Sequence, residues 1–315
     1  MIKNPPVIER IVKEMGGKIV KIVPERGYFY IDIKGKRLLV TRKFQIAGSL
    51  TADSALTRFK DLTDFILKEN GIATPKTASF YRKTFNEKEA KRILKAFEFP
   101  VIIKDAAGSN SKGIFPMVKN SAAAIRTLKQ EFKNFSCLIV QNMIQGKEYR
   151  VTVLDKKVIG ALEMIPPRVW GNGRDNISKL IVAKQRDMKK KTPIDNALRA
   201  VLREQGFRLK DIPQKNQAVF IRKNSSLAEG GELRDVTALV NPEIKKICVR
   251  ATKLVERTLS GIDVMCDDIT KDPRKQSFNV IEINGKPDIY IHYNPNFGKT
   301  RDVVRDIINY ILKTQ

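Results

Sequence analysis

The sequence predicts an α+β protein in which antiparallel strand pairs and amphipathic helices form separate groups. Hairpin patterns at residues 28–40, 148–165 and 263–284 support this prediction, because each joins two apolar, β-rich runs through a short polar turn. Helical periodicity is clearest after Pro242, where apolar residues recur every three or four positions. The 315 residues, 42% of them hydrophobic, are enough for several lobes.

Residues 1–50 are predicted to form a small α/β unit that precedes the main domain. Apolar spacing predicts a helix from Pro5 to Met15, which Gly16 and Gly17 end. A strand from Lys18 to Val23 and a hairpin from Tyr28 to Val40 follow.

Residues 51–315 carry a longer series of predicted helices and strands, which can be divided into residues 51–143 and 144–315. The first part is predicted to contain, in order, a helix at Thr51–Asn70, a helix from the Asn86 cap to Phe97, strands at Pro100–Lys104 and Ile114–Val118, a helix at Ser121–Phe132 and a strand at Cys137–Gln141. The second part is predicted to contain the hairpin Glu148–Ile165, helices at Ile177–Gln185 and Ile194–Gln205, a strand at Gln217–Arg222, a helix capped by Asn241, the hairpin Asp263–Asn284 and a closing helix at Arg301–Leu312.

The chain is strongly basic, with 60 Lys and Arg against 34 Asp and Glu, a formal net charge of +26. Such a field favours anionic partners such as nucleotides, nucleic acid or acidic peptides. The alternative is a charge that serves only solubility.

Several classes are excluded or disfavoured by composition. The sequence has one histidine, His292, so a histidine-rich metal site is excluded. The three cysteines are scattered without metal spacing, as expected for reduced thiols. No apolar run reaches the roughly 20 residues of a membrane span, and residues 1–6 lack a signal-peptide core, so we expect a cytoplasmic protein.

The hairpin near the C-terminus carries polar side chains in apolar surroundings: Asp263, Glu282 and Asn284. Glu282 and Asn284 are two residues apart and therefore project from one face of their strand. If the two strands pair, Asp263 can join them. Two carboxylates and an amide oxygen suit Mg²⁺; the alternative is a polar face that is only hydrated.

Other segments could also bind a ligand, but each has an ordinary structural alternative. Lys104 ends a strand and opens the small-residue loop Asp105–Gly113, which could hold phosphate through backbone N–H groups or could be only a hairpin tip. Residues 141–148 could contact adenine and ribose, or could be an ordinary connection. The arginines at positions 150, 168 and 222 suit phosphate or carboxylate clamps, or are solvated.

Taken in order, these segments resemble the ATP-grasp ligases, and most of all the ATP-grasp module of cyanophycin synthetase and bifunctional glutathione synthetase. The shared text includes Ile165-Pro166-Pro167-Arg168-Val169-Trp170-Gly171-Asn172-Gly173, Asn224-Ser225-Ser226, Arg234-Asp235-Val236-Thr237, Gly261-Ile262-Asp263-Val264 and the tail from Ile291 to Arg301. The resemblance covers roughly Thr51 to Leu312. It implies an ATP-grasp fold, in which two α+β lobes clamp ATP.

The resemblance also implies roles for particular residues. The nucleotide would be held by Lys60, Lys104, Ser109, Lys112, Gly113, Gln141, Ile144 and Glu148. Asp263, Glu282 and Asn284 would hold two Mg²⁺ ions, for which Mn²⁺ could substitute. Arg168 and Arg222 would act in catalysis, and Arg150, Asn224, Lys286, His292 and Arg301 would face the substrates.

The implied reaction is ADP-forming ligation of a carboxylate to an amine through an acyl-phosphate, on an amino acid, a peptide or an acidic polymer. We also expect a homo-oligomer without a membrane partner. The phosphate loop has fewer glycines than expected, and Lys286 stands where the family often has a small residue. The other domains of the two named enzymes are not found, so the identity of the substrates does not carry over from them. The resemblance implies that residues 51–315 form the ATP-grasp domain, with a mobile ATP-binding lobe at about 76–143 and a metal- and substrate-binding lobe at 144–315. The alternative function, based on the charge alone, is a nucleic-acid-binding protein that retains the fold.

Overall fold

The structure is a computed structural model that describes residues 13, 16–23, 28–33, 35–41, 56–108, 113–186, 188, 191–303, 306, 307 and 310. The chain divides into two compact units. The first comprises Met1–Gly146, Thr152–Val158 and Asn241–Pro287, and the second comprises Lys147–Val151, Ile159–Val240 and Asp288–Gln315.

Helices and strands are distributed through both units, as the predicted α+β class requires. The helices are α1 (Lys60–Glu69), α2 (Glu87–Leu94), α3 (Ser121–Glu131), α4 (Ile177–Lys184), α5 (Asn196–Glu204) and α6 (Pro242–Leu254). The strands are β1 (Lys18–Val23), β2 (Tyr28–Ile33), β3 (Lys36–Thr41), β4 (Thr77–Tyr81), β5 (Val101–Asp105), β6 (Ile114–Val118), β7 (Cys137–Asn142), β8 (Lys147–Leu154), β9 (Lys157–Ile165), β10 (Arg168–Trp170), β11 (Ala218–Phe220), β12 (Glu232–Asp235), β13 (Leu259–Cys266) and β14 (Phe278–Asn284).

The first unit contains an antiparallel sheet of order β4-β7-β5-β6. Its core is a cluster of apolar side chains from these strands and from α2 and α3. Both helices begin at an asparagine: the Asn86 side chain accepts from Glu89 N, and that of Asn120 accepts from Ala123 N. These caps satisfy N–H groups that the helices cannot pair internally, and the sheet and helices together position Lys104 and Gln141.

The hairpin β13–β14 contains one irregularity. Its register pairs Asp263 with Glu282 and then Val264 with Val280, so Ile281 is an extra residue on β14. Such a bulge reverses the faces on which the side chains beyond it lie. This explains why Val280 and Ile283 are both buried although they are three positions apart.

The second unit is built around the antiparallel pairs β12–β9 and β10–β11. Apolar residues of β10, α4, α5 and β11 form a separate small core. A five-stranded sheet has the order β12-β9-β8-β13-β14. The N-terminal strands form a sheet of their own, of order β1-β2-β3.

Several predicted boundaries are wrong. The helix predicted at Thr51–Asn70 is interrupted at residues 57–59, and α1 begins at Lys60, because Phe59 has extended backbone angles; residues 51–55 lie outside the described residues. The helix predicted from Ile194 begins at Asn196, because the Asp195 side chain caps it by accepting from Leu198 N at 2.8 Å. The strand predicted at Gln217–Arg222 shortens to β11.

Two predicted helices fall largely outside the described residues. Of Pro5–Met15 only Lys13 is described, as helical. Of Arg301–Leu312 the positions 303, 306, 307 and 310 are described as helical, and 301 and 302 as non-helical. In the described part of the chain, no helix is long and apolar enough to cross a membrane.

Candidate functional site

Asp263, Glu282 and Asn284 lie on one face of the β13–β14 hairpin. Asp263 pairs directly with Glu282, and Gly261 pairs with Asn284. Residues opposite each other in an antiparallel pair share a face, as do residues two apart on one strand. The expectation that Asp263 joins the other two side chains is therefore confirmed as geometry.

These side chains are suited to a hard cation. Asn284 Nδ2 donates to Asp263 Oδ2 at 3.1 Å, which turns the amide oxygen of Asn284 away from that carboxylate. No group of three His, Cys, Asp or Glu that could hold a metal occurs among the described residues. The two carboxylates and the amide oxygen fit an ion such as Mg²⁺, which is bound by one or two carboxylates and takes further ligands from phosphate and water.

Two lysines belong to the same region of the first unit. Lys60 opens α1, and its Nζ lies 3.2 Å from Glu282 Oε1. Lys60 Nζ also donates to Gly108 O, while its backbone N donates to Ala106 O at 2.8 Å. Lys60 thus links the acidic hairpin to the loop after β5.

Lys104 lies on β5 and is only 7% exposed. Burial lowers the pKa of its ammonium group, and the positive charge of Lys60 acts in the same direction. The carboxylates of Glu282 and Asp263 oppose this effect and raise the pKa. The four side chains therefore form one charge cluster, with two cations and two anions.

The predicted phosphate loop is described only at its ends, and Ser109 and Lys112 lie outside the described residues. The loop is closed by Asp105 N, which donates to Gly113 O at 2.8 Å. Gly113 has a φ of +69°, and a Cβ there would lie 3.0 Å from Asp105 Cβ and Phe135 Cζ. Glycine is therefore required at the point where the loop re-enters β6.

Gln141 and Ile144 lie at the end of β7 and in the connection that follows it. The Gln141 side chain is buried and donates through Nε2 to Thr77 Oγ1 at 2.9 Å. Ile144 is half-buried in an irregular segment that ends at Gly146. A Cβ on Gly146 would lie 2.9 Å from Cys266 O, so this connection passes close to the end of β13.

In the second unit, Glu148 projects from the start of β8 and accepts a hydrogen bond from Ser225 Oγ. Ser225 is buried in the loop between β11 and β12, the loop that the sequence singled out at residues 224–231. Asn224 is exposed beside it. The structure therefore places Glu148 against this loop.

Arg168 is held by a buried ion-pair network. Its Nε and Nη2 both contact Glu232 Oε2 at 2.8 Å, and Lys184 Nζ contacts Glu232 Oε1 at 3.1 Å. The guanidinium also lies 4.5 Å from the ring centroid of Trp170 and 5.6 Å from that of Phe297. These contacts fix the orientation of Arg168.

Arg222 is also buried and restrained. Its Nη1 and Nη2 bind the Asp195 carboxylate at 3.1 and 3.0 Å, and Nη2 donates to Pro193 O at 2.8 Å. Most of its donors therefore serve the segment before α5.

The other predicted substrate residues differ in exposure. His292 is fully buried against Gly160, and burial lowers the pKa of its imidazole to about 4. Arg301 binds the Asp235 carboxylate through Nε at 3.1 Å and Nη2 at 2.8 Å. Arg150 is half-buried on β8, and Lys286 is exposed just after β14.

Three acidic residues that pair with the arginines were not predicted from the sequence: Glu232, Asp195 and Asp235. Each is distant in sequence from its arginine, for example 64 residues between Arg168 and Glu232. No local periodicity indicates such pairs. The one available indication was that Asp235 stands inside the shared Arg234–Thr237 motif.

Comparison with known proteins agrees with this geometry. Residues 66–192 match the family model described as D-ala D-ala ligase C-terminus. The chain is 28% identical over 281 residues to the glutathione biosynthesis bifunctional protein GshAB of Clostridium perfringens, covering 84% of this chain and 36% of that protein. It is 27% identical over 263 residues to the cyanophycin synthetase of Synechocystis sp., covering 80% of this chain and 30% of that protein.

The fold comparison points to the same group. A bifunctional glutathione synthetase from Pasteurella multocida superimposes with a TM-score of 0.60 at 23% identity, covering 95% of this chain and 42% of that chain. The chain therefore has an ATP-grasp fold, and its homologues are GshAB and cyanophycin synthetase, as the sequence predicted. It spans about a third of the length of these curated relatives.

Proposed function

We propose that this chain is an ADP-forming carboxylate–amine ligase that makes an amide or peptide bond through an acyl-phosphate. The observation that carries the proposal is the cluster of Asp263, Glu282 and Asn284 on one hairpin face, next to Lys60 and Lys104. Oxygen ligands beside two ammonium groups suit a Mg²⁺–triphosphate, in which cations neutralise negative charge from both sides. The names of GshAB and cyanophycin synthetase support a peptide-like product.

The residues of the first unit would bind the nucleotide. Asp263, Glu282 and Asn284 would hold two Mg²⁺ ions, which when bound neutralise the phosphates and align the terminal one for transfer. Lys60 and Lys104 would contact the phosphates. The remaining nucleotide contacts would come from Ser109, Lys112, Gly113, Gln141, Ile144 and, in the second unit, Glu148.

The residues of the second unit would position the acid and the amine. Arg168 is held rigidly by Glu232, so it would present a fixed positive charge to the transferring phosphoryl group. Arg222 would act with it. Arg150, Asn224, His292 and Arg301, together with Lys286 of the first unit, would contact the acid or amine substrate. His292 stays neutral above its lowered pKa, so it would act as a hydrogen-bonding group rather than as a charge.

We retain the division of the chain predicted from the sequence as part of this proposal. Residues 1–50 would form an accessory unit and residues 51–315 the ligase. Within the ligase, about 76–143 would move as an ATP-binding lobe and 144–315 would carry the metal and substrates.

The proposal is tested by measuring ADP release with Mg²⁺ while amino acids and dipeptides are screened in pairs, with mass spectrometry of the product. Glu282→Ala removes one carboxylate from the candidate metal set and the partner of Lys60. We expect turnover to be abolished, because phosphoryl transfer depends on charge neutralisation and positioning.

Glu98→Ala is the matched control, since Glu98 is an exposed glutamate of the same unit. It should retain wild-type turnover. Full activity of Glu282→Ala, or a product without ADP release, would contradict the assignment.

A further inference from the structure

A cavity of about 260 Å³ lies beside α5, and none of its lining residues belongs to the proposed ligase site. It is lined by Asn196, Arg199, Leu202, Arg203, Phe207, Arg208 and Leu209. Leu202 is buried, while Phe207 and Leu209 are half-buried and pack on the small core of the second unit. The cavity thus has an apolar floor and a wall that carries three guanidinium groups.

Two of the three positive charges of this wall, those of Arg199 and Arg203, are not balanced locally. The third, that of Arg208, pairs with Asp211 at 3.6 Å. The other nearby carboxylates are engaged by cations outside the wall: Asp195 by Arg222 at 3.0 Å and Glu204 by Lys223 at 2.8 Å. Arg199 and Arg203 are exposed and have no ion-pair or side-chain hydrogen-bond partner among the described residues. Two like charges one helical turn apart repel each other, so an anionic ligand would relieve a local cost.

The spacing of the two arginines fits carboxylates at alternate positions of an extended peptide. Four residues of an α-helix rise about 6 Å, which separates Arg199 from Arg203 along α5. In an extended peptide, alternate side chains lie on one face about 6.6–6.8 Å apart.

The neighbouring groups also suit a peptide. An arginine fork binds a carboxylate through two parallel hydrogen bonds. Asn196 precedes Arg199 by three residues, on the same side of α5, and its amide can donate to and accept from a peptide group. The apolar floor can cover the methylene groups of acidic side chains.

We propose that this cavity binds an extended acidic peptide whose carboxylates, at alternate positions, pair with Arg199 and Arg203. Binding requires no nucleotide and does not depend on the ligase activity proposed above. The proposal and the ligase assignment can therefore fail independently.

The test is fluorescence anisotropy of the whole chain, without ATP, with a labelled decapeptide that alternates Asp and Ala. Replacing both arginines, R199Q with R203Q, should weaken binding at least about tenfold, since two charge-assisted contacts are lost. The pair R199K with R203K keeps the charge but not the fork, and should give an intermediate affinity. Circular dichroism checks that α5 remains folded in each variant.

The matched control is R126Q with K133Q, which removes two exposed positive charges from α3 and the turn after it. It should change the affinity by less than about twofold. A second control is a decapeptide with the same number of Asp residues in contiguous groups of at most two, placed so that no two lie at alternate positions; it should bind more weakly than the alternating one.

Three outcomes would overturn the proposal. If R199Q with R203Q and the control R126Q with K133Q lost the same affinity for the peptide, only the total charge would matter. Equal affinity for the alternating and contiguous peptides would remove the argument from spacing. Tighter binding of an oligothymidylate of equal charge, lost in R199Q with R203Q, would assign the cavity to nucleic acid instead.

Discussion

The burial of a single residue, His292, makes the stability of the protein depend on pH. The ring is fully buried in the second unit, and burial lowers its pKa from 6.5 to about 4. Arg150 and Arg301 lower the pKa further, while Asp235 and Asp288 oppose them. The unfolded chain therefore binds a proton near pH 6.5 that the folded chain takes up only near pH 4.

We predict that this histidine alone reduces stability by about 2 kcal/mol between pH 7 and pH 5, because the unfolded state binds more protons in that interval. The loss grows as the pH falls towards 4 and is absent above about pH 7. Urea unfolding of wild type and His292→Gln at both pH values measures it. Carboxylates titrate in both proteins, so the difference between the two pH slopes isolates His292; equal slopes would contradict the prediction.

At the scale of residues, the sequence predicts which side chains are available but not which of them are paired. The apolar surroundings and spacing of Asp263, Glu282 and Asn284 were sufficient to predict their common face, because strand periodicity is local. Arg168 and Arg222 were predicted as clamps, yet the structure shows that Glu232 contacts two guanidinium nitrogens of Arg168 and that Asp195 contacts two of Arg222. Such pairs form between distant parts of the chain, and no local pattern encodes them.

At the scale of elements, the Glu232 carboxylate connects three parts of the second unit: β12, β10 and α4. Arg168 and Glu232 have side chains only 10% and 11% exposed, and Lys184 is 23% exposed. Removing a single negative charge from this group leaves two cations without a counter-ion in a largely dry environment.

We predict that Glu232→Gln reduces the free energy of unfolding by about 3 kcal/mol. The matched control is Glu204→Gln at the end of α5, whose side chain is 56% exposed and whose partner Lys223 is 53% exposed, and it should lose less than about 1 kcal/mol. Urea denaturation of both variants gives the comparison. Similar losses would show that the network contributes no more than a surface ion pair.

Elements were predicted from sequence wherever their boundaries have a local cause. The caps of α2 and α6 follow from Asn86 and Asn241, whose side chains satisfy N–H groups of the first turn. The start of α1 was missed, because nothing local distinguishes Phe59 from its neighbours, and so was the bulge at Ile281. The bulge depends on how β14 pairs with β13, which is a tertiary property.

At the scale of the whole molecule, no single site explains the net charge of +26. An ATP-grasp fold requires no such excess, and this fold was predicted from motifs rather than from composition. A strongly basic chain attracts anionic ligands from a distance, and salt screens this attraction. The Debye length falls from about 10 Å at 0.1 M salt to about 3 Å at 1 M salt.

We predict that kcat/KM for ATP and for an acidic substrate falls several-fold as the ionic strength rises over this range, while kcat changes little. Steering acts on the encounter, and the bound complex is the same once formed. Steady-state kinetics with each substrate varied in turn measures the effect, and an uncharged amine substrate serves as the control. R199Q with R203Q should keep the same salt dependence for ATP, because two charges are a small part of the total field. Michaelis constants for the acid that do not depend on ionic strength would show that the charge has no role in substrate capture.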